Sequence, residues 1–161
     1  METNISYKDS VFSDFSKITP QVFKNFSPED LRGILSAGRY EELDANVSLS
    51  GDNGKKSLEG YLILEGKLAA YRNGMIIEEY KPGDFIGVAF LHSRALIECD
   101  LKTTEPVRLL AFDREQTLYF FRDKPEKLLK IFTINVVEAQ QKHICSLYKR
   151  ISSLMQITDI D

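Results

Sequence analysis

Hydrophobic positions in the first part of the chain recur at steps of three and four. Val11, Phe12, Phe15, Ile18, Val22, Phe23 and Phe26 share one helical face, which predicts an amphipathic helix over 10–26 interrupted at Thr19-Pro20. Ser27-Pro28-Glu29-Asp30 reads as a fresh helix start. Ser27 is a cap, Pro28 suits the first helical position, and the two carboxylates favour the positive end of the helix dipole. Leu31, Ile34 and Leu35 supply the buried face of this helix and Gly38 its stop.

From about Arg39 the period shortens to two. Tyr40, Leu43, Val47 and Leu49 are set among polar residues, and turn signals recur at Ser50-Gly51-Asp52-Asn53-Gly54, Glu65-Gly66, Asn73-Gly74 and Pro82-Gly83-Asp84. Asn73-Gly74 is the sharpest of them, because a type I′ hairpin needs positive φ at both central residues. Between the turns lie predicted strands over 59–64, 67–72, 75–80, 97–103 and 107–112. Short strands broken by frequent turns predict a mainly β fold, an antiparallel barrel or jelly roll.

The pattern then returns to helix. Residues 114–122, with Tyr119, Phe120 and Phe121, predict a short helix or turn region, and Asp123-Lys124-Pro125-Glu126 opens a long helix to about Met155. Leu128, Leu129, Ile131, Phe132 and Val136 form an early apolar set for packing on the barrel. Val137, Gln140, Ile144, Leu147, Ile151 and Leu154 alternate at three and four, a heptad seam with one polar member, and predict a dimerisation helix over 125–155.

Composition narrows the function. A chain of 161 residues, 43% hydrophobic and 28% charged, is the size and make-up of one globular domain. A net charge of −3 gives no footprint for nucleic acid or an anionic membrane surface. No apolar run approaches the ~20 residues of a membrane span. The polar N-terminus lacks the apolar centre of a signal peptide, so the expected location is the cytoplasm. Cys99 and Cys145 have no metal or redox spacing and are expected to be reduced, core-side thiols. His92 and His143 lie far apart, which argues against a His-rich metal site. No nucleophile–base pair, Walker loop or dinucleotide fingerprint is present, so the expectation is a non-enzyme.

Several motifs carry a family resemblance. Phe26-Ser27-Pro28-Glu29-Asp30-Leu31, Ser50-Gly51-Asp52, Tyr61-Leu62-Ile63-Leu64-Glu65-Gly66-Lys67-Leu68 and Pro82-Gly83-Asp84-Phe85-Ile86-Gly87 occur in an order and spacing that resemble cyclic-nucleotide-binding domains. Such domains occur in catabolite activator proteins, protein kinase A regulatory subunits and cyclic-nucleotide-gated channels. The resemblance covers roughly residues 20–155. It implies a jelly-roll-like barrel with N-terminal helices and a long C-terminal helix that commonly pairs in a dimer. The expected division is a flexible tail over 1–9, one domain over 10–155, and a tail over 156–161. The catabolite activators carry a helix-turn-helix domain after the long helix; here only a few residues follow Met155, so direct DNA binding is not expected.

The resemblance also defines a ligand site. In the family, backbone N–H groups after the Gly of the Gly-Asp-x-x-Gly pattern cradle the cyclic phosphate, a Glu holds the ribose hydroxyl, and an Arg about ten residues on pairs with the phosphate. Gly87 keeps the frame here, but Val88 stands where the Glu belongs and Ala89 follows it. A gapless register, in which Val107-Arg108-Leu109-Leu110 matches the final strand, puts Ile97 at the Arg position. A three-residue deletion, balanced by an equal insertion before Val107, puts Arg94 there instead. We favour the gapless register, which loses both side-chain ligands. Two readings follow. The first is a non-catalytic regulatory module without a cofactor, homodimeric and acting through a protein partner. The second is a stand-alone sensor of a cyclic nucleotide or cyclic dinucleotide, using Gly87 and Arg94.

Overall fold

A computed structural model describes residues 11–18, 20–49, 59–87 and 100–158, excluding the side chains of 154 and 156–158. Helical and extended segments follow one another as the periodicity predicts. A helical segment over 11–15 precedes a 3-10 turn, Gln21–Phe23, and helix α1, Pro28–Ala37. Strands β1 Arg39–Leu43, β2 Glu59–Glu65, β3 Leu68–Arg72, β4 Met75–Tyr80, β5 Phe85–Ile86, β6 Asp100–Thr103 and β7 Val107–Asp113 follow. Helices α2, Arg114–Arg122, and α3, Glu126–Thr158, complete the order.

The strands form two antiparallel sheets among the described residues. One has the order β1-β7-β2-β5 and the other β4-β3-β6. The fold is the jelly-roll type expected, with the two sheets facing each other rather than closing into one barrel. β2 and β7 are central and buried on both faces, which explains the unbroken apolar run Tyr61-Leu62-Ile63-Leu64. Alternate residues of each strand feed two different cores. Tyr61, Ile63, Val107, Leu109 and Ala111 join Leu68 of β3 between the sheets. Leu62, Leu64, Leu110 and Phe112 point the other way, into the helices, where they meet Phe23, Ile34, Leu35, Phe121, Phe132 and Val136.

Local chemistry sets the helix ends. The Ser27 hydroxyl accepts from the Asp30 N–H at 3.1 Å and Pro28 opens α1, as the sequence predicts. Asp113 caps α2 in the same way, accepting from the Gln116 N–H at 2.9 Å. Gly38 ends α1 with a φ of −77°, so its glycine is needed for space rather than for conformation. A Cβ there would come within 3.0 Å of the Phe112 ring.

The N-terminal segment has less helix than the interrupted helix predicted over 10–26. The chain is helical only over 11–15, Pro20 is extended, and Asn25 takes a left-handed φ of 68°. Three short pieces thus bury the aromatic set that the interrupted helix was expected to carry. They are fixed from outside: Asn135 of α3, itself buried, donates to the Val22 and Lys24 carbonyls at 3.1 and 2.7 Å. Buried Asp14 pairs with Arg108 of β7 at 2.8 Å and with Lys17 at 3.1 Å.

α3 contributes buried side chains as far as Val136 and none among the described residues beyond it. Phe132 lies at the centre of the aromatic core, with ring centroids 5.1 Å from Phe121, 6.2 Å from Phe23, and 6.4 Å from Phe26 and Phe85.

Candidate functional site

The Pro82-Gly83-Asp84 motif forms a tight turn that β2 holds in place. Gly83 has a φ of +93°, suited to the third position of a turn with Pro82 second. The Asp84 N–H donates to the Lys81 carbonyl at 3.0 Å, while the Asp84 carboxylate accepts from the Lys81 N–H at 2.9 Å. The Gly83 N–H reaches the Ile63 carbonyl at 2.9 Å, and the Ile63 N–H reaches the Asp84 carbonyl at 3.1 Å. β5 follows in register, with Phe85 opposite Leu62 and Ile86 opposite Tyr61. This delivers Gly87, buried, to the start of the segment that the resemblance makes the phosphate cassette.

α3 passes over this turn and leaves a cleft of about 410 Å³ between them. Its walls include Gln21, Lys81, Asp84, Lys142, Ser146 and Arg150. At one side His143 Nδ1 and Glu78 Oε1 are 2.6 Å apart, joining α3 to β4. The Tyr80 hydroxyl donates to the other Glu78 oxygen at 2.8 Å, and the Tyr80 and His143 rings lie 5.3 Å apart. Arg150 donates to the Ile77 carbonyl at 3.3 Å and Gln140 to the Phe85 carbonyl at 3.5 Å.

The pair is electrostatically self-consistent. Its hydrogen bond to Glu78 raises the His143 pKa above its ordinary value, against partial burial, with the Glu78 and Asp84 charges adding to the rise. Burial alone would raise the Glu78 pKa. The bonds from His143 and Tyr80, with the charges of His143 and Arg150, outweigh it and hold the carboxyl below its ordinary value. The charged pair is the favoured form in this geometry.

Of the residues singled out in the sequence, Gly87 directly follows β5. Val88, Ala89, His92, Arg94, Ile97 and Cys99 lie outside the described residues, as does the Ser50–Gly54 turn signal. On α3, Val137, Ile144 and Ile151 are each about half exposed, at 54%, 52% and 52%. Gln140 and Leu147 are partly buried and turned toward the roll, Gln140 onto Phe85 and Leu147 into the cleft wall. The Leu154 side chain lies outside the description. Thr133 donates to its own helix at Leu129 at 2.9 Å, whereas Ser146 faces the cleft. Cys145 is exposed, a correction to the core-side position expected of it, because its side of α3 faces away from the roll.

Two features escaped the sequence reading. Ile134, Tyr148 and Met155 are exposed alongside Val137, Ile144 and Ile151. With Gln141 they make the series 134, 137, 141, 144, 148, 151, 155, a second heptad row that shares Val137, Ile144 and Ile151 with the predicted one. The spacing was visible, but periodicity alone does not say which neighbouring row the roll covers. The Glu78–His143–Tyr80 cluster joins a strand to a distant helix, and no local signal marks it.

No family model matches the chain. No curated protein matches it either. Solved structures do. The catabolite activator protein of Thermus thermophilus aligns with a TM-score of 0.64 at 20% identity, covering 84% of this chain and 63% of that one. A protein of Geobacter metallireducens GS-15 named for cyclic-nucleotide binding aligns at 0.65 and 17% identity, covering 89% and 99%. A PKAR CBD2 domain bound to Sp-2Cl-cAMPS aligns at 0.62 and 14% identity, covering 91% and 90%. The chain thus has the fold of cyclic-nucleotide-binding domains of the catabolite-activator type. It spans less than two thirds of the Thermus protein's length. Among the described residues, no helix is long and apolar enough to cross a membrane and no cluster of metal-ligating side chains occurs.

Proposed function

We propose that the chain is a non-catalytic regulatory module that has kept the cyclic-nucleotide-binding fold, does not bind cyclic AMP or cyclic GMP in the usual way, and acts as a homodimer through a protein partner. The observation that carries this reading is the exposed apolar row on α3. Ile134, Val137, Ile144, Tyr148, Ile151 and Met155 lie on one side of the helix, away from the roll. At 1.5 Å per residue the row is ~32 Å long, and a row of that length at heptad spacing is what a second helix packs against. The loss of ordinary ligand binding rests on Val88, which has no acceptor for a ribose hydroxyl. Losing one charge-assisted bond to a bound anion costs about 1.5–3 kcal/mol, and losing two polar ligands lowers affinity by orders of magnitude.

Titration calorimetry with cyclic AMP and cyclic GMP up to millimolar concentration, beside sedimentation equilibrium, tests both parts. The expectation is no saturable heat and a dimer. A Kd below about 100 μM, near −5.5 kcal/mol, refutes the loss of binding, and a monomer refutes the dimer.

A second reading, a nucleotide sensor, is favoured by the cleft beside the 81–84 turn and by the cations Lys81, Lys142 and Arg150 in its walls. In that reading Arg94 is the phosphate partner. Arg94→Ala then abolishes binding, whereas a module without ligand shows no change.

A further inference from the structure

α3 is attached to the roll by two different kinds of contact. Up to Val136 it is anchored by buried apolar side chains, Leu128, Phe132 and Val136, and by Asn135. Beyond Val136 the hydrogen bonds and ion pair that reach the roll are Gln140 to the Phe85 carbonyl, His143 to Glu78, and Arg150 to the Ile77 carbonyl. A helix segment fastened without a fully buried side chain separates at lower cost than the proximal part, because only the partly buried Ala139 and Leu147 lose apolar contact when it leaves. The one ion pair in this set depends on a proton, since imidazole is a cation only when protonated.

We propose that the distal part of α3, from about Val137 onward, is a proton-operated latch: it docks on β4 and narrows the cleft while His143 is protonated, and it releases from β4 as His143 loses its proton. The device goes beyond the proposed function and does not depend on it, because docking is a property of one chain with or without a nucleotide or a second copy.

The groups that set the response can be named on every side of His143. Glu78, Glu79 and Tyr80 face the cleft or the imidazole from β4, and Lys81 and Asp84 do so from the turn. Lys142 and Arg150 share the helix, and the 3-10 turn offers only uncharged Gln21 and Val22. Glu78 is the group in direct contact, with Asp84 adding to it, so the anionic partners govern the imidazole.

The direction of the pH response follows. The docked state raises the His143 pKa above its ordinary 6.5, so the docking stability from this pair is complete below 6.5 and lost as pH rises through the docked value. Glu78 is held below its ordinary 4.5, so its share is present above 4.5 and lost as pH falls through the lowered value. Docking is tightest between these ordinary values and weakens toward alkaline pH.

The test is a distance measurement between nitroxide labels placed by Met75→Cys on β4 and Ser152→Cys on α3, with Cys99→Ser and Cys145→Ser removing the native thiols. Dilution with unlabelled protein leaves only distances within one chain. At pH 5.5 a single narrow distance is expected, and at pH 8.5 the docked fraction falls several-fold with longer, broader distances appearing. His143→Gln is expected to show the broad distribution at both pH values and His143→Lys, a fixed cation, the narrow one at both. Far-UV circular dichroism checks that each variant is folded, and the unmutated His143 chain compared at two pH values stands even where a variant is not. An identical distribution at pH 5.5 and 8.5 overturns the proposal, as does a pH response that persists in His143→Gln.

Discussion

Replacing Phe132 with Ala is the sharpest probe of how α3 is held. The ring is 2% exposed and has four aromatic neighbours, drawn from the 3-10 turn, the loop before α1, β5 and α2. A buried Phe→Ala change costs about 3–5 kcal/mol from lost transfer energy and the cavity left behind, and well-placed aromatic pairs each add about 0.5–1.5 kcal/mol beyond area. With four such pairs the loss belongs at the upper end, about 4–5 kcal/mol. At about 2–4 °C per kcal/mol for a domain of this size, the melting temperature drops by about 8–20 °C. Phe132→Leu keeps most of the apolar volume and is expected to lose less than about half as much. Urea denaturation followed by circular dichroism, at one protein concentration for all three chains, reads the difference; the concentration is fixed because a dimer's stability depends on it. A loss below about 2 kcal/mol for Phe132→Ala refutes the reasoning, because it means the helix is not anchored through this ring.

Three further outcomes rest on other contacts. Asn135→Ala leaves the buried Val22 carbonyl and the partly buried Lys24 carbonyl without this partner and is expected to cost about 1–3 kcal/mol in the same assay, as an unsatisfied buried acceptor does; a loss under about 1 kcal/mol means those carbonyls find water. Gly66→Ala places a methyl 2.2 Å from the Pro106 carbonyl oxygen at a φ of +82°, whereas Gly83→Ala, at +93°, meets nothing within 4 Å. Both pay about 1–2 kcal/mol for the left-handed backbone, but only Gly66→Ala adds a clash, so thermal denaturation is expected to rank it clearly lower, and equal losses refute the steric argument. Glu substitutions at Ile144 and Ile151 together are expected to convert the proposed dimer to a monomer in sedimentation equilibrium without lowering monomer stability, because both side chains are half exposed; a dimer that persists places its contact elsewhere.

The β elements were legible because their boundaries are chemical. β4 runs Met75–Tyr80 as predicted, and Asn73 and Gly74 both take positive φ, 52° and 76°, as a type I′ turn demands. β2 and β7 extend one residue past the predicted ends. The N-terminal segment was read in part: the break at Thr19-Pro20 followed from proline chemistry, but aromatics at steps of three and four suggested helix as far as Phe26, where the chain instead makes a 3-10 turn and a left-handed residue at Asn25. Burial came from a tertiary partner, Asn135, which no local pattern announces. The cleft was partly legible. The Lys81–Asp84 turn and Gly87 were readable from glycine and proline chemistry, whereas Glu78 and His143 meet only because α3 folds back over β4.

The α3 sequence holds two overlapping heptad rows, and the structure separates them by a rule that the sequence does not contain. Val137, Ile144 and Ile151 belong to both. Gln140 and Leu147 lean toward the roll, while Ile134, Tyr148 and Met155 lean away from it. The dividing factor in the docked helix is the direction in which Phe132, Asn135 and Val136 bury themselves, because the helical repeat carries that rotation into the turns that follow. The polar member of the predicted seam, Gln140, is thereby taken out of the outward row and given a carbonyl partner on β5. That placement gives the outward row its own polar position at Gln141, exposed and flanked by Val137 and Ile144. A helix partner on this face therefore meets a stripe with one hydrophilic layer near its middle, a composition that sets register at a cost in stability. The same rotation that presents the stripe also carries His143 to Glu78, so the face that pairs outward and the contacts that hold inward are set by one anchoring event.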